Sequence, residues 1–103
     1  MDNENKEKLA DKLFDEALNL CLQIRKQRKK IYGNCWFQED GVNCNYYAGI
    51  VNKFNRLKVL HNKRYEINEY ESYLDTLIDM VNVTLFTLAC VLDEKADECK
   101  HRR

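Results

Sequence analysis

Four polar residues, Glu71, Asp75, Asp79 and Asn82, recur at steps of four, four and three in the most apolar stretch of the chain. On a helix this spacing stacks them along one face over about three turns. An unpaired carboxylate among apolar neighbours is costly, so Asp79 must find a cation, a metal or a proton. Three chemistries satisfy that need. The acids pair with Lys53 and Arg56, which share a face of a neighbouring segment, while Asn82 bonds a loop backbone. Alternatively, Glu71, Asp75 and Asp79 hold Mg²⁺, an ion that commonly takes one or two carboxylates, several waters and a substrate's phosphates; Lys53 and Arg56 then grip phosphate oxygens, and the aromatic residues Tyr32 and Trp36 cover a base. In the third, the acids meet a nucleobase edge or a partner's basic side chain without any metal.

Other candidate chemistry is sparse. The five cysteines, Cys21, Cys35, Cys44, Cys90 and Cys99, contain no CxxC pair and read as free thiols of a reducing, cytoplasmic setting. Cys35, Cys44 and His61 match no common zinc spacing. His61 and His101 stand alone and read as structural or solvated. The polar, acidic start Met1-Asp2-Asn3-Glu4-Asn5-Lys6 is unlike a secretion signal.

The elements that must position these groups read as helices. The chain has 103 residues, no proline and three glycines, with 17 basic against 17 acidic residues. So few turn formers argue against a many-stranded fold, and zero net charge does not favour nucleic acid as the partner. The local basic runs, Arg25 to Lys30 and Lys100 to Arg103, suit solvated helix ends. The apolar spacing predicts a first helix over about Asn3–Lys30, carried by Leu9, Leu13, Ala17, Leu20 and Ile24 and closed by Gly33. A loop over Tyr32–Asn45 holds the turn formers Gly33, Asn34, Asp40, Gly41, Asn43 and Asn45. It also holds Tyr32, Trp36 and Phe37, which either plug the end of the core or line a pocket.

A second helix over about Tyr46–Asn62 uses Tyr47, Ile50, Val51, Phe54, Leu57 and His61, and Asn62 to Asn68 reads as a polar connection. The third helix, about Glu69–Glu94, carries Tyr70, Leu74, Leu77, Val81, Leu85, Leu88 and Leu92 in one stripe, with Ile78, Met80, Val83, Phe86, Ala89 and Cys90 around the rest. Such a helix is expected to be central and buried. Its uninterrupted apolar run is short of the roughly 20 residues of a membrane span, and Asp79 and Asn82 break it. The expectation is one all-α domain over 1–103, three main helices in an antiparallel bundle, with a core of about 9–92 and a polar, basic tail over 95–103. Three helices of this length leave apolar surface uncovered, which points to a homo-oligomer.

In this order, Lys30-x-Tyr32-Gly33-x-x-Trp36, Lys53-x-x-Arg56-Leu57 and Glu71-Ser72-x-x-Asp75-Thr76-Leu77-x-Asp79-x-x-Asn82 resemble the nucleotide-modification-associated domain, first family, a small helical domain of phages and bacteria. The likeness runs from about Leu13 to Leu92, and its last block is the most specific part. More distantly, the third helix is similar to that of the all-α nucleoside triphosphate pyrophosphohydrolases of the MazG-like group, where helices bearing EExxE and ExxD patterns bind Mg²⁺. Asp75 and Asp79 correspond to acids of the second pattern. The segment matching the first reads Asn52-Lys53-Phe54-Asn55-Arg56, without an acid.

The resemblance implies a nucleotide ligand, an Mg²⁺ cofactor and an oligomeric state. Two functions follow. One is nucleotide processing, with the metal polarising a phosphoryl group and orienting water. The other is non-catalytic sequestration of a nucleotide or cyclic-nucleotide signal, or capture of a host protein in an anti-defence role.

Overall fold

The computed structural model describes residues 2–66 and 68–101, the last of these (97–101) as backbone only. Every regular element among the described residues is helical, so the chain is all-α. It divides into two compact units, Met1–Gly33 and Asn34–Arg103.

The first unit is the single helix α1, Asn3–Tyr32. It begins where Asp2 accepts a hydrogen bond from the backbone N–H of Asn5 at 2.8 Å, satisfying one of the orphan donors of the first turn. Glu4 in the first turn and Lys29 and Lys30 in the last complement the helix dipole. Glu4 and Lys8 pair across one turn at 3.5 Å. Gly33 ends the helix as expected: its φ of 62° suits glycine, and its N–H donates to the Lys29 carbonyl at 2.8 Å. Cys21 is buried, whereas Leu9, Leu13, Phe14 and Leu18 are exposed.

The second unit contains α2 (Gly41–Asn45), a π-helical turn (Tyr46–Val51), α3 (Asn52–His61) and α4 (Tyr70–His101). The second helix therefore starts earlier than the spacing of apolar residues suggested. Asp40, with a left-handed φ of 57°, turns the chain, and Asn43 donates to its carboxylate at 2.9 Å. Asn45 donates to the carbonyls of Trp36 at 2.9 Å and Gly41 at 2.7 Å. The asparagines that looked like loop formers thus tie the loop onto the helix that follows it.

The chain then doubles back. Gly41 and Asn45 meet Cys90, Gly49 meets Val83, Lys53 meets Asp79 and His61 meets Tyr73. Partners descend α4 as the chain ascends from α2 to α3, so these segments run antiparallel to α4. Two glycines make the close approach possible. A Cβ on Gly41 would lie 2.7 Å from the Cys90 sulfur, and one on Gly49 would run into Val83. Gly49 sits inside the π turn, where one extra residue per turn lets the helix bring its bare backbone against α4.

Two expectations about α4 change. It continues past Glu94, with a backbone that is helical to His101; Arg102 and Arg103 of the expected polar, basic segment lie outside the described residues. Nor is it buried all round. Thr76, Ile78, Asn82 and Cys90 are buried, but Leu77, Val81, Leu85, Leu88 and Leu92 are exposed. Packing against α2 and α3 occupies only one side of a helix, and the opposite side remains apolar. As one continuous helix, Tyr70–Ala96 also has the length and composition to cross a membrane, which the count of uninterrupted apolar residues did not suggest.

Candidate functional site between α3 and α4

Lys53 projects from the first turn of α3, and its Nζ lies 3.3 Å from Oδ2 of Asp79 on α4. The side chains are 32% and 18% exposed, so the pair sits at the boundary between solvent and core. Asp79, the acid that most needed a counter-charge, has one from the neighbouring helix. One turn away, Arg56 is exposed, and so are Asp75 and Glu71. Asn82 is buried one turn beyond Asp79. The α3–α4 contact therefore brings together Lys53 and Asp79 of the expected set, while Arg56, Asp75 and Glu71 face solvent. Among the described residues, no group of three or more His, Cys, Asp or Glu side chains is arranged to hold a metal ion.

The two expected base-stacking aromatics fall in different units. Tyr32 is an exposed residue of the last turn of α1. Trp36 lies over Phe86 of α4 with ring centroids 4.7 Å apart and planes 5° from parallel, and Phe37 meets it edge-on at 5.6 Å. One face of the indole is thus occupied by the protein's own ring, an offset stack of the kind that closes a helical core.

A cavity that the polar row did not announce lies at the other end of α3. It is a cleft of about 360 Å³, open to solvent and lined by Phe54, Leu57, Lys58, His61, Asn62, Tyr73 and Leu77. Its floor is the crossing of α3 and α4. His61 Nδ1 and the Tyr73 hydroxyl are 2.8 Å apart and their rings 5.7 Å. The hydroxyl donates where Nδ1 carries no proton and accepts where it does, and in either case the bond fixes both rings. The Lys58 ammonium lies 5.3 Å from the centre of the Phe54 ring. Apolar and aromatic walls with a few converging polar groups, at a volume of a few hundred Å³, are the features of a small-molecule site. Phe54, Lys58 and His61 follow the helical steps of four and three, a signal legible in the sequence but masked by reading His61 as part of the core stripe.

Cys90 is a buried thiol of α4. Burial pushes its thiol upward, the nearby Asp93 and Glu94 carboxylates add to this, and the Asn45 amide works in the opposite direction. It is held against the Trp36 carbonyl at 3.8 Å and behaves as a small packing residue. Cys35 and Cys44 are exposed free thiols, and His61 is engaged with Tyr73. Comparison with family models, with curated proteins and with solved structures yields no match.

Proposed function

We propose that the second unit is a nucleotide-binding module that holds its ligand without converting it. The observation that carries this reading is the cavity at the α3–α4 crossing, where Lys58 and His61 stand among the rings of Phe54 and Tyr73. A planar base has an aromatic wall to lie against, and Lys58 supplies a charge for phosphate, with Arg56 on the same helix. The Lys53–Asp79 pair favours binding over metal-assisted hydrolysis, since Asp79 already meets a cation of the protein. Mg²⁺ then enters, if at all, with the ligand's phosphates beside the exposed Asp75 and Glu71. The reading includes a homo-oligomer working in a reducing, cytoplasmic compartment, where Cys35 and Cys44 remain thiols.

The test is calorimetric titration with a panel of mono-, di-, tri- and cyclic nucleotides, with and without Mg²⁺. The expected result is stoichiometric binding of at least one nucleotide, recovered unchanged by chromatography, with affinity lowered about tenfold or more by Lys58→Glu. A folded protein that binds none of the panel overturns the reading. Conversion of a triphosphate in the presence of Mg²⁺, lost in Asp79→Asn, assigns the chain to nucleotide processing instead.

A further inference from the structure

Resting on the nucleotide-binding reading above, we propose that the cleft at the α3–α4 crossing selects an adenine nucleotide and that Asn62 is the residue that reads the base. The cleft has two chemically different ends. Phe54 and Lys58 stand one turn apart on α3, with the Lys58 ammonium 5.3 Å from the centre of the Phe54 ring. His61, Asn62 and Tyr73 make the other end, where α3 stops. Asn62 is the C-terminal cap of that helix, and its backbone N–H donates to the Leu60 carbonyl. Lys58 and Asn62 are separated by one turn, about 6 Å along the helix axis, so a cation and a carboxamide line the same cleft at neighbouring levels.

The two polar groups suit different parts of one ligand. Among the described residues no acid lines the cleft, and the Lys58 ammonium is its permanent positive charge, which suits a phosphate. His61 Nδ1 and the Tyr73 hydroxyl are bonded to each other at 2.8 Å. Their rings therefore serve as a fixed wall, and the Asn62 carboxamide is the lining group left to meet a base. A carboxamide carries donors beside an acceptor. Adenine presents the complement on both of its edges, the N6 amino donor beside either N7 or N1, and is the base that asparagine contacts with two hydrogen bonds. Guanine matches less well. Its N7 edge offers two acceptors, and its pairing edge carries a second donor, N2, that a lone carboxamide leaves unmet. A polar group left without a partner on binding costs affinity. The pyrimidines have one ring where adenine has two, and so cover less of the His61–Tyr73 wall.

The experiment is calorimetric titration of the full chain with AMP, GMP, CMP and UMP under one set of conditions. The wild type is expected to bind AMP at least about tenfold more tightly than GMP. Asn62→Leu keeps the size of the side chain and removes its donors and acceptor. It is expected to bring the two affinities within about threefold of each other, with the helical circular dichroism of the wild type; Asn62→Ala is the second variant should Asn62→Leu not fold. Lys58→Gln is expected to weaken all four nucleotides together and to keep their ratios, so loss of selectivity separates base reading from a general loss of binding. A wild type that binds GMP, CMP or UMP as tightly as AMP overturns the inference and leaves the nucleotide-binding reading standing. A preference for AMP that survives in the folded Asn62 variants does the same. A wild type that binds none of the four also overturns the inference, and the wider panel of di-, tri- and cyclic nucleotides then decides the reading on which it rests.

Discussion

Lys53 Nζ stands 3.3 Å from Asp79 Oδ2, and this contact spans the crossing of α3 and α4 between Gly49 against Val83 and His61 against Tyr73. The three contacts make a ladder in which the charged rung sits between a close backbone approach and an aromatic pair. An ion pair at that position helps set the register of the two helices, a role in which partly buried charges are best attested.

Removing one charge of the pair should therefore destabilise the protein. Lys53→Met leaves the half-buried Asp79 carboxylate without this partner, and the expected loss is about 1–2 kcal/mol, between the values of exposed and fully buried pairs. Replacing both residues, Lys53→Met with Asp79→Leu, should recover most of it. Urea unfolding midpoints measure both, and a double variant no more stable than Lys53→Met would contradict the pairing.

Asp79→Ala separates structure from ligand binding. The expected outcome is a lower melting temperature with nucleotide affinity within about threefold of the wild type, since the proposed cavity is lined by Lys58, His61 and Tyr73 and not by Asp79. If nucleotide binding disappears while the helical signal persists, Asp79 belongs to the ligand site.

Gly49→Ala tests the close approach. In an ordinary helix interior this change stabilises by up to about 1 kcal/mol. Here the added methyl runs into Val83, and a net destabilisation of about 1–3 kcal/mol is expected. Val83→Ala in the same chain should relieve it, and thermal melts of the four chains of the cycle give the coupling.

Thiol chemistry should sort the described cysteines by burial. Cys35 and Cys44 are expected to react quickly with a thiol reagent in the native protein, while Cys21 and Cys90 wait for unfolding. The raised pKa of the Cys90 thiol has a definite consequence for stability. The folded state holds the thiol proton more tightly than the unfolded chain, whose ordinary value is 9.0. That contribution to stability is complete below pH 9.0 and is lost as pH rises above it toward the folded value. Cys90→Ser should flatten this alkaline decline in denaturation curves taken at increasing pH.

The helical fold class and one pairing, Lys53 with Asp79, were legible in the sequence. Alternation at three and four, the lack of proline and Gly33 beyond Lys30 are local signals, and each acts through the backbone of its own segment. The need of Asp79 for a counter-charge, and Lys53 as one of its candidates, followed from the cost of an unpaired carboxylate. The start of α2 was hidden, because Gly41, Asn43 and Asn45 are turn formers by local preference. They are helical here because Asn45 bonds to Trp36 and Gly41 packs on Cys90, 49 residues further along. The cavity was hidden for a similar reason: Phe54 and Tyr73 look like core residues until the crossing of α3 and α4 leaves space between them.

Periodicity thus indicated the long helices and which of their residues share a face, since those depend on neighbours three and four positions away. Which face is covered was decided only by the folded chain. Seven apolar residues of α4 and the buried row beside them look alike as a pattern. Burial separates them, and burial depends on the arrival of a distant segment whose glycines permit contact.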